Sequence, residues 1–207
     1  MREYSGFLIS IEGIDGSGKS TLAQSLAKAL MEDNHPVILT KEPGQTRLGK
    51  KIRNILQQEK NLVCDKAEFL LFAADRAQHF EEVIIPGLKK SKIIISDRMA
   101  DSSLAYQGYG RELNIELIKK INSWCMNSIT PDLTLYVDID EKTALERIFR
   151  RKQLLTAFEK ESITFWKRVK AGFEEIFKGK NNVIKINGLQ SQEEVFNEAY
   201  SSIIKAL

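Results

Sequence analysis

A chain of 207 residues, 43% of them hydrophobic, is long enough for one α/β domain with a sizeable core. Its 31 Lys and Arg nearly balance 28 Asp and Glu, which argues against a nucleic-acid coat, and no apolar run is long enough to cross a bilayer. Cys64 and Cys125 lack metal-ligand spacing; with no apolar leader at the N-terminus, the expected setting is the reducing cytoplasm.

Phe7-Leu8-Ile9-Ser10-Ile11 reads as a buried strand, and Leu22, Ala23, Leu26, Ala27 and Leu30 as one face of a helix. Between them Gly13-Ile14-Asp15-Gly16-Ser17-Gly18-Lys19-Ser20, followed by Thr21, fits G-x-x-x-x-G-K-[ST] at every fixed position. Strand, glycine loop and helix together make a phosphate cradle. The glycines let backbone N–H groups turn inward around an anion, and the helix N-terminus adds partial positive charge. Lys19 is placed to reach the β- and γ-phosphates of a nucleotide, and the Ser20 hydroxyl to coordinate Mg²⁺.

Residues 36–40 give a second short strand, and Lys41-Glu42-Pro43-Gly44 a loop. Leu48, Ile52, Ile55 and Leu56 mark an amphipathic helix with Lys50, Lys51 and Arg53 on its other faces. A long helix is expected from Lys66 to about Ile85, its core stripe Phe69, Ala73, Ala77, Phe80 and Ile84, interrupted near its end by Pro86-Gly87. Residues 92–98 form a third strand ending in Asp97, where a Walker-B carboxylate stands and a second Mg²⁺ ligand is needed. Residues 101–111 are polar and aromatic. Ile115, Ile118, Ile121, Trp124, Cys125 and Ile129 mark the next amphipathic helix.

Residues 133–137 are a fourth strand. A helix through Ala144, Leu145, Ile148 and Phe149 ends in the basic run Arg147, Arg150, Arg151 and Lys152. Phe165, Trp166, Val169, Phe173 and Phe177 mark another helix, 183–186 a fifth strand, and Val195 to Ile204 the last helix. His35 and His79 have no partner pattern and are expected at the surface. Strands alternating with helices predict a five-stranded parallel sheet covered on both faces, in one domain spanning residues 1–207.

A phosphate cradle alone does not choose a reaction. An N-K-x-D sequence is absent, as is a D-x-x-G outside the cradle, which argues against a GTPase switch. Lys19, Arg53, Arg76, Arg98 and the basic run at 147–152 form the dispersed cationic set that phosphoryl transfer between two anionic substrates requires.

Over nearly its full length the chain resembles the bacterial thymidylate kinases. The resemblance rests on residues 11–20, Glu42-Pro43-Gly44, Leu71-Phe72-Ala73-Ala74-Asp75-Arg76, Asp97-Arg98, Asp101-Ser102-Ser103-Leu104-Ala105-Tyr106-Gln107-Gly108 and residues 131–136. The Asp-Arg pair followed by Ser-Leu-Ala-Tyr-Gln-Gly is its most specific part. The resemblance implies a three-layer P-loop NTPase fold with a short lid near 150–160, and ATP-dependent, Mg²⁺-assisted phosphorylation of dTMP to dTDP by a homodimer. It implies that residues 13–21 hold ATP, and that Lys19, Asp97 and Arg98 supply catalytic charge. It implies that Phe72 stacks on thymine, that Arg76, Ser103, Tyr106 and Gln107 complete the base pocket, and that Arg53 and Arg98 hold the monophosphate. Pro43 lines the pocket and Asp15 approaches the sugar.

The chain departs from the family pattern at three positions. Lys41 stands where Arg is usual, and Gly16 where some members carry Arg. Thr156-Ala157-Phe158-Glu159 puts Ala157 at the usual lid arginine, so the lid charge is expected from Arg150, Arg151 or Lys152. The alternatives are a kinase for another nucleoside or nucleoside monophosphate, and a weakly catalytic nucleotide-binding protein.

Overall fold

The computed structural model describes residues 4–58, 63–151 and 154–207. Five strands, β1 (Phe7–Glu12), β2 (Val37–Lys41), β3 (Ile93–Asp97), β4 (Leu133–Asp138) and β5 (Val183–Asn187), form one sheet in the order β2-β3-β1-β4-β5. Every pairing is parallel, with Ile9 of β1 opposite Ile95 of β3 and Leu133 of β4. The strands read as continuous apolar runs because both faces are covered. Helices α1 (Lys19–Glu32) and α9 (Gln192–Ala206) take one face; Leu22, Leu26, Leu30, Ala199 and Ile203 pack on Ile9, Ile11, Ile95, Leu135 and Val137.

Alternate strand residues point the other way, as the two-residue period demands. Leu8 and Ile94 meet Phe80, Ile84 and Leu88. Tyr136 meets Phe165, Trp166 and Phe173 of α8 (Ile163–Phe177). Each fully buried aliphatic side chain of this kind contributes about 1.5–3 kcal/mol. The sheet's order reverses direction at β1. The loop after β1 therefore opens at the carboxyl end of the central strand, where ligands bind in open α/β sheets.

The remaining helices are α2 (Arg47–Gln58), α3 (Asp65–His79), α4 (Ile85–Lys89), α5 (Ala100–Ser103), α6 (Ile115–Cys125) and α7 (Glu141–Arg150). Three departures from the sequence reading have physical causes. Pro86-Gly87 does not interrupt the long helix: α3 passes through a π-helical turn at Phe80–Ile84 into α4, with Pro86 in its first turn. The wider π turn relieves the clash between a proline ring and the carbonyl four residues back, and proline needs no N–H partner there. Residues 100–110 are helical, α5 running into a second π-helical stretch at Leu104–Gly110. Finally, α6 stops at Cys125, so Ile129 lies beyond it, and Trp124 is 79% exposed, off the core stripe.

Candidate active site

The glycine loop is shaped by close backbone approach. Gly13 has φ 144° and an added Cβ would lie 2.5 Å from the Val137 carbonyl oxygen; Gly16 has φ 79° and a Cβ 2.6 Å from that of Ala144. No side chain other than hydrogen fits either position. Gly18 stands at the N-cap of α1 and offers no side-chain cap, which leaves the helix's first N–H groups to a ligand. Lys19 Nζ donates to the Ile14 carbonyl at 2.6 Å and to Ser17 Oγ at 3.3 Å. Burial, aided by the Arg98 charge, brings the Lys19 ammonium down to about 8.

Ser20 Oγ donates to Asp97 Oδ2 at 2.5 Å, so the two proposed metal ligands converge between the start of α1 and the end of β3. Hydroxyl and carboxylate are hard oxygen donors that suit Mg²⁺. Among the described residues no group of three or more His, Cys, Asp or Glu is arranged for a metal. A cation held by so few protein atoms relies on phosphate oxygens and water, as Mg²⁺ commonly does.

Arg98 joins this cradle to the neighbouring pocket. Its backbone takes φ 72°, unusual for a side-chain-bearing residue. Its Nη1 donates to the Gly13 carbonyl (2.9 Å) and Ser102 Oγ (3.0 Å), and its Nη2 to Asp15 Oδ1 (2.6 Å) and the Tyr106 hydroxyl (3.2 Å). The guanidinium lies 5.0 Å from the Tyr106 ring centre. Tyr106 donates to Asp15 Oδ2 at 3.0 Å and accepts from the Asp15 N–H at 3.1 Å. Burial works to raise the Asp15 carboxyl, but Arg98 and Lys19 outweigh it and hold it below its usual value. Burial also works against the Arg98 charge, and Tyr106, Asp15 and Asp97 more than offset it. Behind them, buried Glu12 accepts from Ser10, Ser102 and the Met99 N–H; burial and Asp101 push it up to about 7.

Helix α3 clamps the loop after β2. Arg76 Nε donates to Glu42 Oε2 at 2.9 Å, its Nη1 to Asn122 at 2.7 Å, and its Nη2 to Ser103 Oγ at 3.1 Å and the Met99 carbonyl at 3.2 Å. His79 is a correction to the sequence reading. It is 0% exposed, with Nδ1 2.9 Å from Glu42 Oε1 and Nε2 2.6 Å from Thr40 Oγ1. Acceptor-only Glu42 takes the Nδ1 proton, and in the neutral ring Nε2 then accepts from the threonine. Burial works to raise Glu42, but Arg76 and His79 pull it below the usual carboxylate range. Asp75 Oδ1 accepts from the Gly44 N–H at 3.0 Å, and burial together with Glu42 pushes its carboxyl up to about 6. The Glu42–Pro43 peptide is cis, and the Pro43 carbonyl accepts from Arg53 Nη1 at 2.9 Å.

These groups open onto one cleft of about 770 Å³. All nine residues assigned to dTMP line it, as do Asp97, Ser20 and Thr21. Gly13, Ile14 and Ser17 stand behind it and act through the bonds they accept from Arg98 and Lys19. Phe72 faces Phe158 of the lid at 5.8 Å between ring centres, and Tyr106 faces the same ring at 6.0 Å.

The basic run divides. Arg150 is directed to solvent, 81% exposed and 3.9 Å from Glu146, and does not line the cleft. Arg151 lines it and is paired with lid residue Glu159, whose carboxylate also accepts from the Thr156 N–H. Lys152 lies outside the described residues. Arg147, the first residue of the basic run, lines the cleft, as does Phe158, which carried no ligand role in the sequence reading. The four-residue step from Arg147 to Arg151 was the available signal, since it puts both on one helix face.

Comparison with known proteins gives a consistent result. A family model described as thymidylate kinase matches residues 11–199. A thymidylate kinase of Halothermothrix orenii is 42% identical over 200 residues, covering 96% of each chain. One from Finegoldia magna is 44% identical over 193 residues, covering 92% of this chain and 94% of its own. The crystal structure of a thymidylate kinase from Ehrlichia chaffeensis superposes with a TM-score of 0.78 at 33% identity, covering 96% of this chain and 98% of that one.

Proposed function

This chain belongs to the thymidylate kinase family, and on that premise we propose that it transfers the γ-phosphoryl group of ATP to dTMP, releasing dTDP and ADP. The observation that carries this reading is that the glycine-loop cradle and the pocket of Phe72, Arg76, Tyr106 and Gln107 line a single cleft, with Arg98 bonded to Gly13 and Asp15 of the loop and to Tyr106 of the pocket. A donor phosphate on one side and an acceptor phosphate on the other then share one set of cations.

The residues act mainly by position and charge, as this reaction requires. Loop N–H groups and Lys19 hold the donor phosphates. Arg53 and Arg98 orient the acceptor phosphate so that one of its oxygens faces the γ-phosphorus. Phe72 offers a flat apolar face to the base, and Gln107 and Arg76 offer polar groups to its edge. Ser20 and Asp97 would hold Mg²⁺, which when bound neutralises charge on the phosphate oxygens. With Ala157 in the lid, Arg151, which lines the cleft beside Glu159, is our candidate for the cation that meets the transferring group.

We read the active form as a cytoplasmic homodimer. Exposed Leu70 on α3, and Leu117 and Trp124 on α6, support a self-association face, and two unpaired cysteines suit a reducing compartment. Light scattering on the purified chain gives the assembly state. For the activity, ³¹P NMR of ATP mixed with dTMP should show dTDP and ADP rising together, and Lys19→Ala should abolish both. No dTDP from the wild-type chain, or near wild-type turnover in the variant, would refute the assignment.

A further inference from the structure

The base pocket has a support set back from the cleft. Gln107 is 1% exposed and lines the cleft, and its amide Nε2 donates to Glu68 Oε1 at 2.9 Å. Glu68, on α3, does not line the cleft. Arg111 grips it from behind, Nε to Oε1 at 3.3 Å and Nη2 to Oε2 at 3.0 Å. Arg111 is itself fixed by Glu161 at 2.8 Å and by the Phe165 ring, 4.7 Å from its guanidinium. A carboxylate held by a guanidinium accepts hydrogen bonds and donates none. Only the NH₂ end of the Gln107 amide can therefore face Glu68. The carbonyl oxygen accepts no bond among the described residues and is not one of the fully buried unpaired side-chain atoms, so it opens onto the cleft.

We propose that Glu68 is a positioning residue for base specificity. By fixing the Gln107 amide, it presents a carbonyl oxygen to position 3 of the pyrimidine. Thymine and uracil carry a proton there and are accepted; cytosine carries a lone pair and is repelled. The inference rests on the dTMP reading of the cleft. An amide at position 68 both donates and accepts, so Glu68→Gln leaves the Gln107 amide able to turn over and present its NH₂ to cytosine.

The test is the ratio of kcat/KM for dTMP to that for dCMP, measured in the wild-type chain, Glu68→Gln, Gln107→Ala and the double variant. Glu68→Gln should lower the ratio by at least ~10-fold, chiefly through KM. On the Gln107→Ala background the same substitution should change it less than about 2-fold, because the group it acts through is gone. The reciprocal pair Glu68→Gln with Gln107→Glu again turns an oxygen to the base and should restore the preference; it also supplies a readout if the single variant folds poorly. A Glu68→Gln ratio within about 2-fold of wild type, or an equal fall on both backgrounds, overturns the proposal. A wild-type chain indifferent between dTMP and dCMP overturns the dTMP reading itself, a result recognisable before any variant is made.

Discussion

Replacing Arg98 with Lys separates charge from shape at the centre of the site. The four terminal N–H groups of Arg98 are taken by Gly13, Ser102, Asp15 and Tyr106 at 2.6–3.2 Å, a fork that fixes the guanidinium plane. A lysine keeps the charge but has three donors on one atom and cannot span these partners. At least two charge-assisted bonds are lost, each worth about 1.5–3 kcal/mol. Water replaces part of that, since the side chain is 17% exposed. A net loss of about 3 kcal/mol in transition-state stabilisation corresponds to a fall of roughly 100-fold in kcat/KM for dTMP. The same bonds are made within the unliganded protein, so folding should lose stability too, by up to about 3 kcal/mol. A coupled ADP-release assay gives the kinetics and thermal unfolding the stability. A Lys variant within about 3-fold of wild-type kcat/KM would show that charge alone suffices and that the fork is not what orients the acceptor.

The lid cations should separate by exposure. Arg151→Ala should lower kcat by more than ~10-fold with little change in KM for dTMP, whereas Arg150→Ala should leave kcat within about 2-fold; equal effects would contradict their placement. Asp75 gives a pH prediction. Its folded value of about 6 lies above the unfolded 3.8, so between these the native state binds more protons and stability falls as pH rises towards 6. Above that the penalty is constant, on the order of 3 kcal/mol. Asp75→Asn removes the titration, so in urea unfolding it should gain about 1 kcal/mol on wild type between pH 5 and pH 8. The same difference between the two proteins at both pH values would remove Asp75 as the titrating group.

The five strands were legible because a parallel sheet covered on both faces demands unbroken apolar runs, and the glycine loop because its spacing encodes its own geometry. What the sequence hid was set by distance along the chain. His79 looks like an ordinary polar helix residue until Thr40 and Glu42, 39 and 37 positions away, are brought against it. Glu68 and Gln107 likewise meet across 39 positions. Residues 104–110 escaped because a π-helix shifts the hydrogen-bond period away from the 3.6-residue pattern by which helices are read. Arg150 and Arg151 are indistinguishable by type; the rotation of about 100° between consecutive residues at the end of α7 sends one into solvent and the other to the cleft. Gly16, which looked like a missing charge, sits where a Cβ would press on the Ala144 carbonyl, so this backbone has no room for an arginine there.

The central claim is that one cleft joins a nucleotide phosphate cradle to a pocket for a phosphorylated thymine nucleoside. The direct measurement is kcat/KM with ATP across dTMP, dUMP, dCMP, dGMP and thymidine. A pocket built to hydrogen-bond one base edge rejects the wrong edge by ~10³ or more, while a single methyl is worth only about 10–200-fold. We predict dTMP far above dCMP and dGMP, dUMP nearest to it, and thymidine poor because it brings no phosphate to Arg53 and Arg98. Comparable efficiency for dCMP and dTMP, or for thymidine and dTMP, would contradict the claim.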